Sequence, residues 1–146
     1  NQVVRGVEYA VSITPVRNLS INANYTYLNG NDFIQSRISA KDTAYSYLLR
    51  RPKHHINLNI GYQLENGFYV ALQGKYLSKR NDVGGYRKAD VELNDYFLAG
   101  AYAEYKWKKQ LRIFVDAQNI TNKKFTDLNG FNSIPFAIYT GVTIDL

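Results

Sequence analysis

Apolar and polar residues alternate with period two along almost the whole chain, and a chain patterned this way must fold into strands solvated on one face. Seven such stretches are predicted, at about 5–14, 19–28, 54–65, 68–77, 95–107, 111–119 and 134–146. One face collects thirty-five positions, among them Val7, Tyr9, Val11 and Ile13, then Ile56, Leu58, Ile60 and Tyr62, of which only Gly74 and Thr140 are not apolar. The interleaved positions are of another kind: Ser20, Asn22, Asn24 and Thr26, then Asn57, Asn59 and Gln63, then Gln73, Lys75, Glu104, Lys106 and Arg112. No helical period competes with this pattern. The longest apolar run, Tyr96 to Ala103, falls far short of the roughly 20 residues that a spanning helix needs.

The connections decide what kind of sheet this is. Pro15-Val16-Arg17-Asn18, Glu65-Asn66-Gly67 and Lys108-Lys109-Gln110 are short polar turns, and Asn66-Gly67 is a strong hairpin dipeptide. Between them lie long links at roughly 29–53, 78–94 and 120–133. In an up-and-down meander, short turns gather at one end and long loops at the other, which is the layout of outer-membrane barrels. Aromatic placement separates this from a soluble sandwich or lipocalin-like barrel. Of ten aromatics on the apolar face, Tyr25, Tyr27, Tyr76, Phe97 and Phe136 lie toward the long loops, and Tyr62, Phe68, Tyr105 and Trp107 toward the short turns, leaving only Tyr9 in mid-strand. A soluble core buries its rings centrally, whereas a lipid-facing wall sets them at the two headgroup levels.

The fold class expected is therefore all-β, an antiparallel up-and-down transmembrane β-barrel wall. Seven is an odd count, and an open wall leaves unpaired edges in lipid. The chain is accordingly expected to be the C-terminal wall of a larger barrel. The absence of methionine and of an opening signal peptide fits an internal or processed piece. With no cysteine, a disulfide scaffold or thiolate metal cluster is excluded. The net charge of +6 is modest, and with no recognition motif it gives no reason to expect a nucleic-acid partner.

Several local motifs resemble one family. Arg5-Gly6-Val7-Glu8-Tyr9 followed by Leu19 to Tyr27, Arg50-Arg51-Pro52-Lys53-His54, and Val115-Asp116-Ala117-Gln118-Asn119-Ile120-Thr121-Asn122-Lys123-Lys124-Phe125 are similar, in that order, to segments of TonB-dependent receptors. Asn129-Gly130-Phe131-Asn132 resembles the family's last external loop, although Ile134-Pro135-Phe136 departs from the usual Gly-Arg. The resemblance covers essentially residues 1–146. It implies a twenty-two-stranded barrel of the bacterial outer membrane, plugged by a domain this chain lacks and energised through TonB. Arg50-Arg51-Pro52-Lys53 and the 129–132 loop are most similar to cobalamin receptors, so uptake of a corrinoid is the expectation. A ferric siderophore is the alternative, with a passive porin or soluble β-barrel binding protein behind it. The implied partners are lipopolysaccharide, the remaining strands and plug, TonB, the corrinoid or ferric chelate, and a surface lipoprotein.

Gly141-Val142-Thr143-Ile144-Asp145-Leu146 resembles the outer-membrane assembly signal carried by Gly141, Ile144 and Leu146, with Leu146 in place of the usual aromatic. The physical need is an edge strand whose alternate apolar residues dock on the insertion machinery.

No constellation points to catalysis: there is no Ser-His-Asp order, phosphate loop or His-Glu motif, and no enzyme activity or cofactor is expected. His54 and His55 are neighbours on a strand, so they face opposite ways and share no metal. With Arg50, Arg51 and Lys53 they form an expected basic cluster at the rim, a solvated patch that also meets lipopolysaccharide phosphates, with a specific anionic-ligand site as the lesser alternative. Asp82, Asp90, Glu92 and Asp95 lack the spacing of a calcium loop. Glu8, Lys75, Glu104, Lys106, Arg112, Asp116 and Asp145 are expected to face the lumen and pair with one another across strands or with the plug. Ligand contacts are expected from the long loops, at Tyr45, Tyr47, Tyr86, Arg87, Asn129 and Phe131, because rings supply area while Asn and Arg supply orientation.

Overall fold

β-branched and aromatic residues at every second position favour extended backbone, and in the computed structural model that preference is realised throughout. The structure describes all residues except Arg37, Lys109, Asp145 and Leu146. Ten strands follow one another with no helix among the described residues: β1 (Gln2–Ile13), β2 (Leu19–Gln35), β3 (Asp42–Tyr45), β4 (His54–Gln63), β5 (Phe68–Leu77), β6 (Arg80–Asp82), β7 (Val91–Leu93), β8 (Tyr96–Trp107), β9 (Leu111–Gln118) and β10 (Ala137–Ile144). Seven of them form the wall, ordered β1-β2-β4-β5-β8-β9-β10, with every neighbour antiparallel. These are the seven strands predicted. β3, β6 and β7 are additional; β3 folds back on the end of β2, and β6 pairs β7 inside the second long link.

The boundaries shift most at β1, β2 and β10. β2 runs on to Gln35, where a loop was expected from residue 29, because β1 begins at Gln2 and pairs it as far as Asp32. The hairpin thus projects beyond the wall. β10 begins at Ala137 rather than at 134. Pro135 has no N–H to give a ladder, and the Phe136 amide is taken by Asn122 Oδ1 at 3.1 Å. The turn expected at 108–110 and the end of the assembly signal include Lys109, Asp145 and Leu146, which lie outside the described residues.

Short turns sit at one end and long segments at the other. At the 64–67 turn, Leu64 N donates to Phe68 O at 2.7 Å and Gly67 adopts φ +87°. A Cβ there would lie 2.8 Å from the Lys106 carbonyl, so only glycine fits.

The two faces of the wall differ. Val11, Leu58, Leu72, Val115 and Val142 share one face of the wall by register and stand exposed, Val142 at 62%. This is a contiguous apolar patch far beyond what a soluble surface carries. The opposite face is concave and encloses a trough of about 750 Å³ lined by Ser12, Asn22, Asn24, Asn57, Gln73 and Lys75. Asn57 Nδ2 donates to Asn24 Oδ1 at 2.8 Å, and Ser12 Oγ to Asn22 Oδ1 at 2.7 Å. Toward the short turns this face is aromatic, where polar residues were expected. Tyr69 meets Tyr102 edge-on at 6.1 Å and Tyr102 stacks with Phe114 at 6.0 Å. Gly61 and Gly141 lie under Tyr69 and Phe114, and a Cβ on either would collide with the ring above it. Among the charges expected to pair here, Glu104 lies 3.9 Å from Arg112 and 4.0 Å from Lys106, and accepts the Tyr102 hydroxyl at 2.7 Å. Asp116 accepts instead from Gln118 at 2.9 Å. Glu8 and Lys75 have no ion pair among the described residues.

Candidate functional site at the long-loop end

Three long segments root in the wall at one rim, and buried charges tie them together. The first turns inward after β3. Leu48 is buried against the inward side of Gly30, where a Cβ would stand 3.1 Å from Leu48 Cδ2. Arg50 N then donates to Asn81 O at 2.8 Å, joining the first segment to β6.

Asp82 is the hub. Its side chain is fully buried and accepts from Arg50 Nε at 2.6 Å, from Val83 N at 2.7 Å and from Asn129 N at 2.7 Å. One carboxylate thus links all three segments. Burial alone would push its pKa up, but the Arg50 guanidinium and the Asn129 and Val83 amides outweigh that and hold it below the usual carboxylate value. Two residues earlier, Arg80 is also buried. Its Nη2 donates to the Thr126 and Asp127 carbonyls at 3.0 Å and to Asp127 Oδ1 at 2.8 Å. Its guanidinium lies over the Tyr96 ring at 5.3 Å, and Tyr96 donates its hydroxyl to the same Asp127 oxygen at 2.8 Å and packs on Phe125 at 4.5 Å. Lys79 pairs with Glu92 at 2.9 Å at the surface, and this partner raises its pKa.

The third segment is braced at its root. Asn119, at φ +49°, donates Nδ2 to Lys123 O at 3.0 Å and to Ile134 O at 3.2 Å, and accepts from Lys123 N at 2.9 Å. Asn tolerates the left-handed region, which accounts for asparagine in this motif.

The six loop residues predicted to touch ligand fall into two groups. Tyr45 meets Tyr47 edge-on at 5.4 Å, the Tyr47 hydroxyl donates to Asp90 at 2.7 Å, and Asn129 Nδ2 donates to Val83 O at 3.0 Å. These belong to the framework of the loops. Tyr86 is 86% exposed with the Arg87 guanidinium 5.4 Å above its ring, and Phe131 is 71% exposed. These are presented outward, on loops that Asp82 and Asn129 connect.

The expected basic rim cluster is divided instead. Arg50 goes to Asp82; Arg51 and Lys53 line a crevice with Lys79 and Arg80; His54 joins Tyr25 and Tyr27, its Nδ1 2.9 Å from the Tyr25 hydroxyl and its ring 5.3 Å from that of Tyr27. The four acids considered for calcium are engaged otherwise, and no group of three His, Asp or Glu among the described residues could hold a metal. Arg80, Asp82, Tyr96 and Asp127 were not singled out from the sequence as a structural unit. The one usable signal is opposite charges two residues apart, Arg80 and Asp82, which share a side of an extended segment.

A curved antiparallel wall with an apolar outer face, a polar trough and interlocked loops at one rim defines the class: one side of an up-and-down membrane-type barrel. The family model for TonB dependent receptor-like β-barrels matches residues 1–120, and the chain belongs to that family. Solved structures agree on the fold. The ferric-catecholate import receptor Fiu of E. coli K12 in its closed form superposes with a TM-score of 0.77 at 17% identity, covering 98% of this chain and 21% of that one. The FpvAI–pyocin S2 complex gives 0.79 at 18%, covering 99% and 20%. The siderophore receptor PiuA of Acinetobacter baumannii gives 0.71 at 19%, covering 97% and 22%. The chain thus spans about a fifth of the length of the receptors it matches. No curated protein matches it. None of these receptors is a cobalamin receptor, so the corrinoid expectation gains no support from them.

Proposed function

We propose that this chain supplies wall strands and external loops to a bacterial outer-membrane receptor that imports a ferric chelate with energy delivered through TonB, and that it performs no catalysis. The observation that carries the reading is family membership over residues 1–120. The ligand class is supported by relatives of the same fold, which include a ferric-catecholate import receptor and a siderophore receptor. Ferric siderophore therefore stands ahead of cobalamin. The apolar face meets lipid, and the outer edges of β1 and β10, which pair no strand among the described residues, join further strands of the barrel. His55 Nε2 and Asp116 Oδ1 are buried without partners among the described residues, which supports a further polar segment packing against the inner face.

Uptake of radioactive iron by cells carrying the full receptor, with a panel of ferric chelates and labelled cyanocobalamin side by side, tests this. TonB-dependent accumulation of iron from one chelate class is expected. Accumulation of cyanocobalamin without iron would return the case to the corrinoid, and passage of both without TonB would favour a porin.

A further inference from the structure

The second and third long segments are fastened to each other along one seam. Arg80, with its side chain only 2% exposed, donates Nη2 to the Thr126 and Asp127 carbonyls and to the Asp127 carboxylate. Two residues on, the buried Asp82 accepts the Asn129 amide, and Asn129 Nδ2 donates to Val83 O. Parting the segments would strand buried charge at both places, so they form one body. Each carries one highly exposed ring just past the seam, Tyr86 three residues after Val83 and Phe131 two residues after Asn129. Such lengths of chain reach at most about 11 Å and 7 Å, so the two rings stand on a common base.

The charges of this body are sorted. The acids of residues 78–94 and 120–133 all turn to framework partners: Asp82 to Arg50, Asp90 to the Tyr47 hydroxyl, Glu92 to Lys79 and Asp127 to Arg80. Arg87 by contrast has no ion pair among the described residues, and its guanidinium lies 5.4 Å from the centre of the Tyr86 ring. The outward side therefore offers two rings and a cation, with the body's own acids engaged elsewhere. We infer that the second and third segments make one preformed binding head for an aromatic anion, the aryl oxyanion of a ferric chelate, in which Asp82 and Asn129 are positioning residues that set Phe131 relative to Tyr86 and Arg87. The rings stack on an aryl group and the guanidinium meets its charge. Asp82 is fully buried and touches no ligand; it acts by removing the cost of ordering two loops when the ligand arrives. The iron-bound form of the ligand rests on the ferric-chelate reading above; the fastening of the two loops does not.

Calorimetry of the full detergent-solubilised receptor with a synthetic tripodal ferric tris-catecholate, and with a ferric trihydroxamate, tests the head. The catecholate should bind about tenfold more tightly, since only it brings rings to stack. Phe131→Ala should weaken catecholate binding about fivefold in the otherwise unchanged receptor, but less than about twofold in an Asp82→Ala background, where the ring is no longer held in place. A merely structural Asp82 would lower loop stability and leave the Phe131 factor at its full value. Asn129→Ala keeps Asp82 and its bonds and loses only the bond to Val83 O, so it folds with its loops tied, and the Phe131 factor in it should fall between the two. A Phe131 factor that persists in both backgrounds, or a catecholate that binds no more tightly than the trihydroxamate, would overturn the head. Should cells carrying the receptor import no ferric chelate, iron-free 2,3-dihydroxybenzoate that still binds, and binds more weakly to Phe131→Ala, would fail the functional reading and retain this one. Binding of neither aryl probe would overturn it.

Discussion

Replacing the buried Asp82 with alanine should unlock the loop end while leaving the wall intact. The carboxylate satisfies two backbone amides, Val83 and Asn129, and one guanidinium, Arg50. Stranding a buried donor costs about 1–2 kcal/mol for each amide. Arg50 is 57% exposed on its side chain and regains water, so its loss adds at most about 1 kcal/mol. The expected weakening is therefore about 2–5 kcal/mol, confined to the loops because the ladder hydrogen bonds of β4, β5 and β8 do not involve Asp82. Hydrogen exchange of the full receptor reads this directly: protection at Val83 and Asn129 should fall by about 30- to 4,000-fold, at about 1.4 kcal/mol per decade, while β4 and β5 amides keep theirs. Unchanged exchange at Asn129, or loss spread evenly into the wall, would refute the hub.

Four further outcomes follow from the same geometry. Acidification from pH 7 to 5 should leave Asn129 protection intact; a carboxyl whose pKa is lowered by folding contributes stability above its unfolded value of about 3.9, lost only as pH drops through the still lower folded value, and loop opening already at pH 5 would contradict this. Leu58→Arg or Val115→Arg, at outward positions, should cost about 2–4 kcal/mol in unfolding titrations from lipid vesicles. Gly141→Ala should cost about 1–3 kcal/mol through overpacking against Phe114, with Phe114→Leu restoring stability if packing and not an assembly defect is the cause. Tyr86→Ala and Phe131→Ala, both at highly exposed rings, should each weaken ferric-chelate binding by about 1 kcal/mol in calorimetry, with thermal stability of the barrel unchanged.

The wall was legible because period two persists through every strand and one register satisfies all of it. Its extension past residue 28 was not. Asn29-Gly30-Asn31-Asp32 reads as turn chemistry, yet β1 supplies partners for each of these residues, and tertiary pairing overrides local propensity. The three-residue strands β6 and β7 are too short to carry a period. The loop knot was hidden for another reason: Arg80 and Asp127 stand 47 residues apart, and charge in a loop reads as solvated until the fold buries it. The inner rings Tyr69, Tyr102 and Phe114 were passed over because they share the polar face, where Gly61 and Gly141 beneath them are the trace they leave. Tyr86 and Phe131 stand exposed on the long loops, whereas Tyr45 and Tyr47, chosen on the same signal, pack into the loop framework.

The central claim is that one face of this sheet meets lipid and the other a lumen. The chain has no cysteine, so single cysteines can be introduced from His54 to Gln63 along β4 in the full receptor, spin-labelled, and measured in vesicles for collision with oxygen and with a water-soluble nickel chelate. Oxygen accessibility should peak at 56, 58 and 60 and nickel accessibility at 57 and 59, alternating residue by residue, with Gly61 left unlabelled because Tyr69 covers it. Equal accessibility at successive positions, or nickel reaching 58 as readily as 59, would contradict the membrane wall.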